Sequence, residues 1–229
     1  MYRIFLLDID NTLLDFDAAE KRGFRNIVES FGLEFDWEML DRYKVINRGL
    51  WDRLEQGKIS RDEVLYTRFR QFFLLYGKEA DGVETENRYR SYLNESSDLL
   101  PNAKETLLQL KEMGKKLYSA SNGVYNTQIL RLKNAGILHL FDGMFISEKI
   151  GYEKPSVSFF DHCFQNIPDF DKEQTLMVGD SISSDIQGAI NAGIDSCLIL
   201  PSGQPAASAA TYTIRDMSGL LNLPSSARN

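Results

Sequence analysis

Long apolar runs are missing from this chain. Nowhere do its 229 residues approach the roughly 18 consecutive apolar positions that a membrane helix needs. Also missing is a leader pattern, a basic start followed by a long apolar stretch and a small-residue cleavage point. Met1 to Leu7 is apolar but breaks off at Asp8, so no secretory signal is expected. Cysteine is scarce: Cys163 and Cys197 lie far apart and share no metal-ligand spacing, which reads as buried thiols in a reducing, cytoplasmic setting. A basic surplus is lacking as well. The net charge of −7 argues against a polynucleotide partner, which needs a positive face. A small anionic substrate is still permitted, provided a metal ion or a few Lys and Arg supply local positive charge. Internal repeats and low-complexity tracts are absent too.

What is present is an ordinary globular composition, 43% hydrophobic and 26% charged, in a chain long enough for one large core or a core with a second small domain. Tyr2 to Leu7 reads as a buried strand and Asp8 to Thr12 as its exit loop. Residues 16 to 98 are almost wholly helical in pattern. One helix is predicted from Asp17 to about Phe31 with Gly32 as its stop, and another from Asp36 to Leu54. A third opens at the capping box Ser60 to Glu63 and runs to Tyr76, and a fourth covers Gly82 to Leu93. Four helices without an intervening strand predict a small bundle.

From about residue 99 the pattern alternates. Strands are predicted at Lys116–Ala120, Gly143–Ser147, Thr175–Gly179, Ser196–Leu200 and Tyr212–Ile214. Helices lie between them: one from Pro101, one capped by Asn126 or Thr127, and one over Ser156–Phe164. Another is capped by a Ser184–Gln187 box, with Ile186, Ala189 and Ile190 facing the core. A Pro- and Ser-containing stretch follows Leu200, and Pro224 to Asn229 are expected to be loose. Such alternation implies right-handed crossovers and a parallel sheet. The fold class is therefore α/β. Residues 1–15 and 99–229 form a doubly wound, Rossmann-like core, and residues 16–98 form an inserted four-helix domain.

In an open parallel sheet, ligands bind at the carboxyl ends of the strands. Asp8, Asp10 and Thr12 follow the first strand, Ser121 and Asn122 the second, Lys154 the third at some distance, and Asp180 and Asp185 the fourth. Two carboxylates two residues apart repel each other unless a cation lies between them or one keeps its proton. Both conditions suit phosphoryl transfer, in which one carboxylate attacks phosphorus and the other handles the leaving-group proton. Asp8 and Asp180 are the natural pair to hold magnesium, a hard ion that prefers oxygen ligands. Ser121-Asn122-Gly123 at a strand-to-helix turn makes an anion cradle. Each piece alone has a plainer reading. Asp10-Asn11-Thr12 fits a turn with a helix cap, Asp185 an acid on a helix dipole, Ser121-Asn122 a cap and Lys154 a solvated lysine.

Taken together, the motifs resemble the haloacid dehalogenase superfamily. Asp8-Ile9-Asp10-Asn11-Thr12 matches its first motif, Asp-x-Asp-x-Thr, and Ser121 matches its second. Lys154 within Gly151-Tyr152-Glu153-Lys154-Pro155 matches the third, and Gly179-Asp180 through Asp185 the fourth. The resemblance implies Asp8 as nucleophile and magnesium ligand. It implies Asp10 as general acid and base, with its backbone carbonyl reaching the metal. Ser121, Asn122 and Lys154 would bind the phosphoryl group, Asp180 would be the side-chain metal ligand, and Asp185 would complete the acidic site or hold Lys154. The helical insertion falls where the family's cap domain sits, which closes over the site and selects the substrate.

Asp10 separates the branches of that superfamily, because its dehalogenases lack the second acid. A closer resemblance is to its bacterial pyrimidine nucleotidases. It rests on residues Asp10 to Asp15, Leu54 to Arg61, Ser121-Asn122-Gly123, Ile146-Ser147-Glu148 and Gly188 to Gly193. The expected activity is hydrolysis of a small phosphorylated metabolite, a nucleoside monophosphate foremost. Sugar-phosphate hydrolysis, a phosphomutase and a catalytically silent binding protein are the alternatives. The aromatics of the insertion, Trp37, Tyr43, Trp51, Phe69, Phe72, Phe73 and Tyr76, with Phe16 at its start, are expected to fill the bundle core rather than stack on a base. His139 and His162 carry no partner spacing and receive no role.

Overall fold

The structure is a computed structural model that describes residues 2–200 and 208–224. The stretch directly after Leu200 and the residues beyond Pro224 lie outside the described residues. The chain divides into two compact units, Met1–Phe16 with Ser97–Asn229, and Asp17–Ser96.

The first unit is built on six parallel strands: β1 (Ile4–Leu7), β2 (Lys116–Ser121), β3 (Gly143–Ile146), β4 (Thr175–Gly179), β5 (Asp195–Ile199) and β6 (Tyr212–Ile214). Their spatial order is β3-β2-β1-β4-β5-β6. β1 is therefore central, with Leu7 opposite Ser119 on one side and Val178 on the other. Its four residues are all buried, as expected of a strand covered on both faces. One face packs Phe5, Leu7, Leu117, Leu176, Val178 and Cys197 with residues such as Leu107, Leu132 and Leu220. The other packs Ile4, Leu6, Ala120 and Met177 under Phe159, Phe160 and Cys163. The two free cysteines are buried on opposite faces of the sheet. Strand order reverses at β1, so the crevice beyond the ends of β1, β2 and β4 is the place where such a sheet binds ligands.

The second unit is helical. It contains all but the first residue of α1 (Phe16–Ser30), with α2 (Trp37–Glu55), α3 (Arg61–Leu74) and α4 (Gly82–Asn94). Three of these helices begin at side-chain caps: Asp36 accepts from Met39 N–H at 2.7 Å, Ser60 from Glu63 at 3.2 Å and Asp81 from Glu84 at 2.9 Å. The core is aromatic. Tyr43 stacks on Phe24 at 4.7 Å and on Phe69 at 4.9 Å, and Phe72, Phe73 and Tyr89 are fully buried around them. Beside this apolar centre Arg68 is buried, donates to both carboxylate oxygens of Glu86 at 2.7 and 2.8 Å, and reaches Asn47 at 3.1 Å. Trp37 is 61% exposed, beneath Lys21, and so departs from the core placement expected for the aromatics.

The helices around the sheet are α5 (Ala103–Glu112), α6 (Tyr125–Asn134), the short α7 (Ser147–Ile150), α8 (Val157–Gln165) and α9 (Gln187–Ala192). Four local expectations are corrected. β3 stops at Ile146, and Ser147 opens α7 instead of ending the strand. α6 starts at Tyr125, ahead of Asn126 and Thr127, because its first free N–H is taken by Glu148 Oε2 at 2.8 Å from the exit of β3. The cap expected at Ser184 is provided by Ser181, which accepts from Ser184 N–H at 3.2 Å. Between Ser181 and α9 the chain makes a wide π-type turn over Ile182–Ile186. The wider turn shifts the phase of the buried face, so Ile186 and Ala189 are buried as expected while Ile190 is 45% exposed.

Candidate active site

Four chain segments deliver polar side chains to one edge of the sheet. Asp8 continues β1 by one ladder bond, its N–H donating to Val178 O at 2.9 Å. Its carboxylate is thereby fixed just past the strand end, nearly buried. Thr12, fully buried on the exit loop, donates to Asp8 Oδ2 at 3.2 Å. Lys154, 1% exposed, donates to Asp8 Oδ1 at 2.9 Å and to Asp185 Oδ1 at 2.6 Å, and its third donor goes to Ala120 O. An ammonium has three protons, and here each has a partner. Asn122 holds this lysine's segment in place. Its side-chain oxygen accepts from Lys154 N–H at 2.8 Å and its nitrogen donates to Lys154 O at 2.9 Å.

Asp185, wholly buried, also accepts from Ser181 N–H on Oδ2 at 3.0 Å. The π-type turn is what swings it back over β4. There is no room for a side chain on the strand's last residue, since a Cβ at Gly179 would stand 2.0 Å from Asp185 Oδ2. Asp8, Asp180 and Asp185 each present a carboxylate oxygen within 4.8 Å of the others.

This clustering has electrostatic consequences. Burial raises the Asp8 pKa well above the ordinary aspartate value; Lys154 opposes the shift, and Asp185, Asp180 and Asp10 add to it. Asp180 is pushed up to about 7 by burial and then by Asp185, against the pull of Lys154. Burial pulls Lys154 down, but Asp185 and Asp8 outweigh it and hold the ammonium above the ordinary lysine value. The three carboxyl groups outnumber the one ammonium, and they offer only oxygen ligands. That donor set fits a hard divalent cation such as magnesium.

The phosphate side is formed at the end of β2. Ser121 Oγ accepts from Gly123 N–H at 3.0 Å and from Gln128 Nε2 at 3.0 Å. A Cβ at Gly123 would stand 2.4 Å from Gln128 Nε2, so a side chain there would displace the Gln128 amide. Asp10 is partly open, its side chain 30% exposed. It is gripped by two residues that the sequence reading did not single out. Arg131 donates to Oδ1, and Gln128 Nε2 donates to Oδ2 at 2.6 Å. Gln128 and Arg131 occupy the buried face of α6 while Leu130 is 39% exposed. Arg48 and Arg53 of the helical unit are exposed and paired with carboxylates of their own unit.

Comparison with known proteins identifies the family of the chain. The family model of the haloacid dehalogenase-like hydrolases matches residues 2–193. The pyrimidine 5′-nucleotidase PynA of Streptococcus pneumoniae is 40% identical over 195 residues, covering 85% of this chain and 82% of its own. The pyrimidine 5′-nucleotidase YjjG of Escherichia coli is 29% identical over 94% of this chain and 95% of its own. The HAD-hydrolase YfnB of Bacillus subtilis has a crystal structure with magnesium bound that reveals interdomain movement. It superimposes with a TM-score of 0.92 at 39% identity, covering 96% of this chain and 97% of that one. The chain belongs to the haloacid dehalogenase-like hydrolases. Among the described residues no helix is long and apolar enough to cross a membrane.

Proposed function

We propose that this protein is a magnesium-dependent phosphomonoester hydrolase that acts on nucleoside 5′-monophosphates, pyrimidine ones foremost, through an aspartyl-phosphate. The observation that carries the reading is Asp8 at the end of β1, joined to Lys154 at 2.9 Å within the cluster of Asp180 and Asp185, with a second acid, Asp10, two residues on. The resemblance to PynA and YjjG supports the substrate class.

An oxygen of Asp8 attacks phosphorus, forming a P–O bond as the ester P–O bond breaks. The departing oxygen takes its proton from Asp10. In the second step Asp10 accepts a proton from water as that water attacks phosphorus, and the Asp8 carboxylate leaves. Ser121 accepts two hydrogen bonds, so its own proton is available for a phosphoryl oxygen. The Asn122 side chain keeps Lys154 in position. Lys154 neutralises the phosphoryl group and the nucleophile together. Asp8, Asp180 and the backbone carbonyl of Asp10 would hold magnesium, with Asp185 contributing directly or through water. The ion would supply charge neutralisation that lets a carboxylate approach a phosphate dianion. Residues 17–96 would serve as the cap that selects the substrate.

The test is phosphate release from a panel of nucleoside monophosphates and sugar phosphates, with magnesium and with chelator. The expected result is a preference for pyrimidine monophosphates, abolished by chelator and by Asp8→Asn. Turnover spread over sugar phosphates would keep the chemistry and move the substrate class. No turnover of any phosphate would contradict the reading.

A further inference from the structure

Gln128 and Arg131 have no part in the scheme above, yet both are 1% exposed on α6. Burying a guanidinium is costly unless its donors are well paired, so its partners show what it is for. Arg131 Nη1 donates to Asp10 Oδ1, and it donates to Gln128 Oε1 at 3.1 Å. The Phe16 ring covers the guanidinium at 5.5 Å. Gln128 Nε2 in turn donates to Asp10 Oδ2 at 2.6 Å and to Ser121 Oγ at 3.0 Å.

The orientation of this network is fixed by one chemical fact: arginine can only donate. Gln128 must therefore turn its oxygen to Arg131 and its nitrogen to Asp10 and Ser121. Each Asp10 oxygen receives one N–H and keeps a second lone-pair position for a proton in transit. The carboxylate is thus held at both ends by the helix that follows the phosphate-binding turn. Its orientation no longer depends on the exit loop of β1 alone.

We propose that Arg131, acting with Gln128, is a positioning residue for Asp10, aiming its carboxylate at the leaving oxygen of the substrate. The inference rests on the phosphatase reading above. A misplacement of about 1 Å is enough to cost about 10²-fold in rate.

The test compares two substrates on one enzyme. p-Nitrophenolate departs without a proton, whereas the alkoxide of a nucleoside monophosphate needs one. kcat/KM reports on the steps through cleavage of the ester bond. Arg131→Met is expected to lower kcat/KM for a pyrimidine monophosphate by about 10²-fold. The ratio of that value to the one for p-nitrophenyl phosphate should fall at least ~10-fold. Arg131→Lys, which keeps a donor but loses the fork, should fall between wild type and Arg131→Met. It carries the test if the methionine variant loses its cooperative melting. Equal falls for both substrates in the folded variants would overturn the inference alone. Absence of turnover by the unaltered protein, on both substrates, would overturn the phosphatase reading and the inference with it.

Discussion

Asp180 and Asp8 show the strain in the site at the level of single residues. Both are carboxyls whose charged forms are disfavoured by burial and by neighbouring carboxylates, Asp185 foremost, and Lys154 compensates only part of this. A carboxyl with a raised folded-state pKa stabilises the fold below its ordinary pKa and loses that contribution as pH rises through the folded value. For Asp180 the loss extends up to about 7. A bound divalent cation removes the penalty by favouring the charged forms. The stabilisation by magnesium should therefore be larger at about pH 8 than at about pH 5. Melting curves with magnesium and with chelator at both values check this, and an equal shift at the two would contradict it. These acids were legible in the sequence because each lies just beyond an apolar run ending in a buried strand. Gln128 and Arg131 were not, because a helical repeat is read from its apolar positions, and here polar side chains hold the buried face.

At the level of elements, the site is assembled by turns rather than by the strands themselves. Glu148, on α7 just beyond β3, closes the first N–H of α6, the helix that carries Gln128 and Arg131. Glu148→Ala should cost about 1 kcal/mol, as the loss of a helix cap does. Asn126→Ala, at the cap position that the sequence suggested, should change stability by less than about 0.5 kcal/mol. Chemical denaturation of the two variants checks the pair, and the reverse order would contradict the assignment. Sequence could not show this contact, since a cap supplied by a residue 23 positions away leaves no local pattern. The displaced cap at Ser181 has a similar cause. The wide turn over Ile182–Ile186 inserts a residue into the helical count, and that shift is what brings Asp185 to Lys154 while exposing Ile190.

At the level of the whole molecule, the doubly wound sheet was readable from the alternation of apolar strands and amphipathic helices. The observed order β3-β2-β1-β4-β5-β6 is the arrangement in which the first strand becomes central. That centrality turns four dispersed motifs into one site, with β2 and β4 as direct neighbours of β1. The helical unit was legible as helices, but the placement of its polar core, Arg68 with Glu86 and Asn47, was not. Partners 18 and 21 residues apart on different helices obey no spacing rule. The central claim is that this architecture makes Asp8 a nucleophile toward phosphorus. The most direct test is rapid acid quench of the enzyme during turnover of a pyrimidine monophosphate with magnesium, followed by mass analysis of the peptide containing Asp8. The account expects one phosphoryl group on that peptide, absent in Asp8→Asn and in chelator. Steady turnover with no phosphoryl group on any peptide, even at the shortest times, would contradict it and point to direct attack by water.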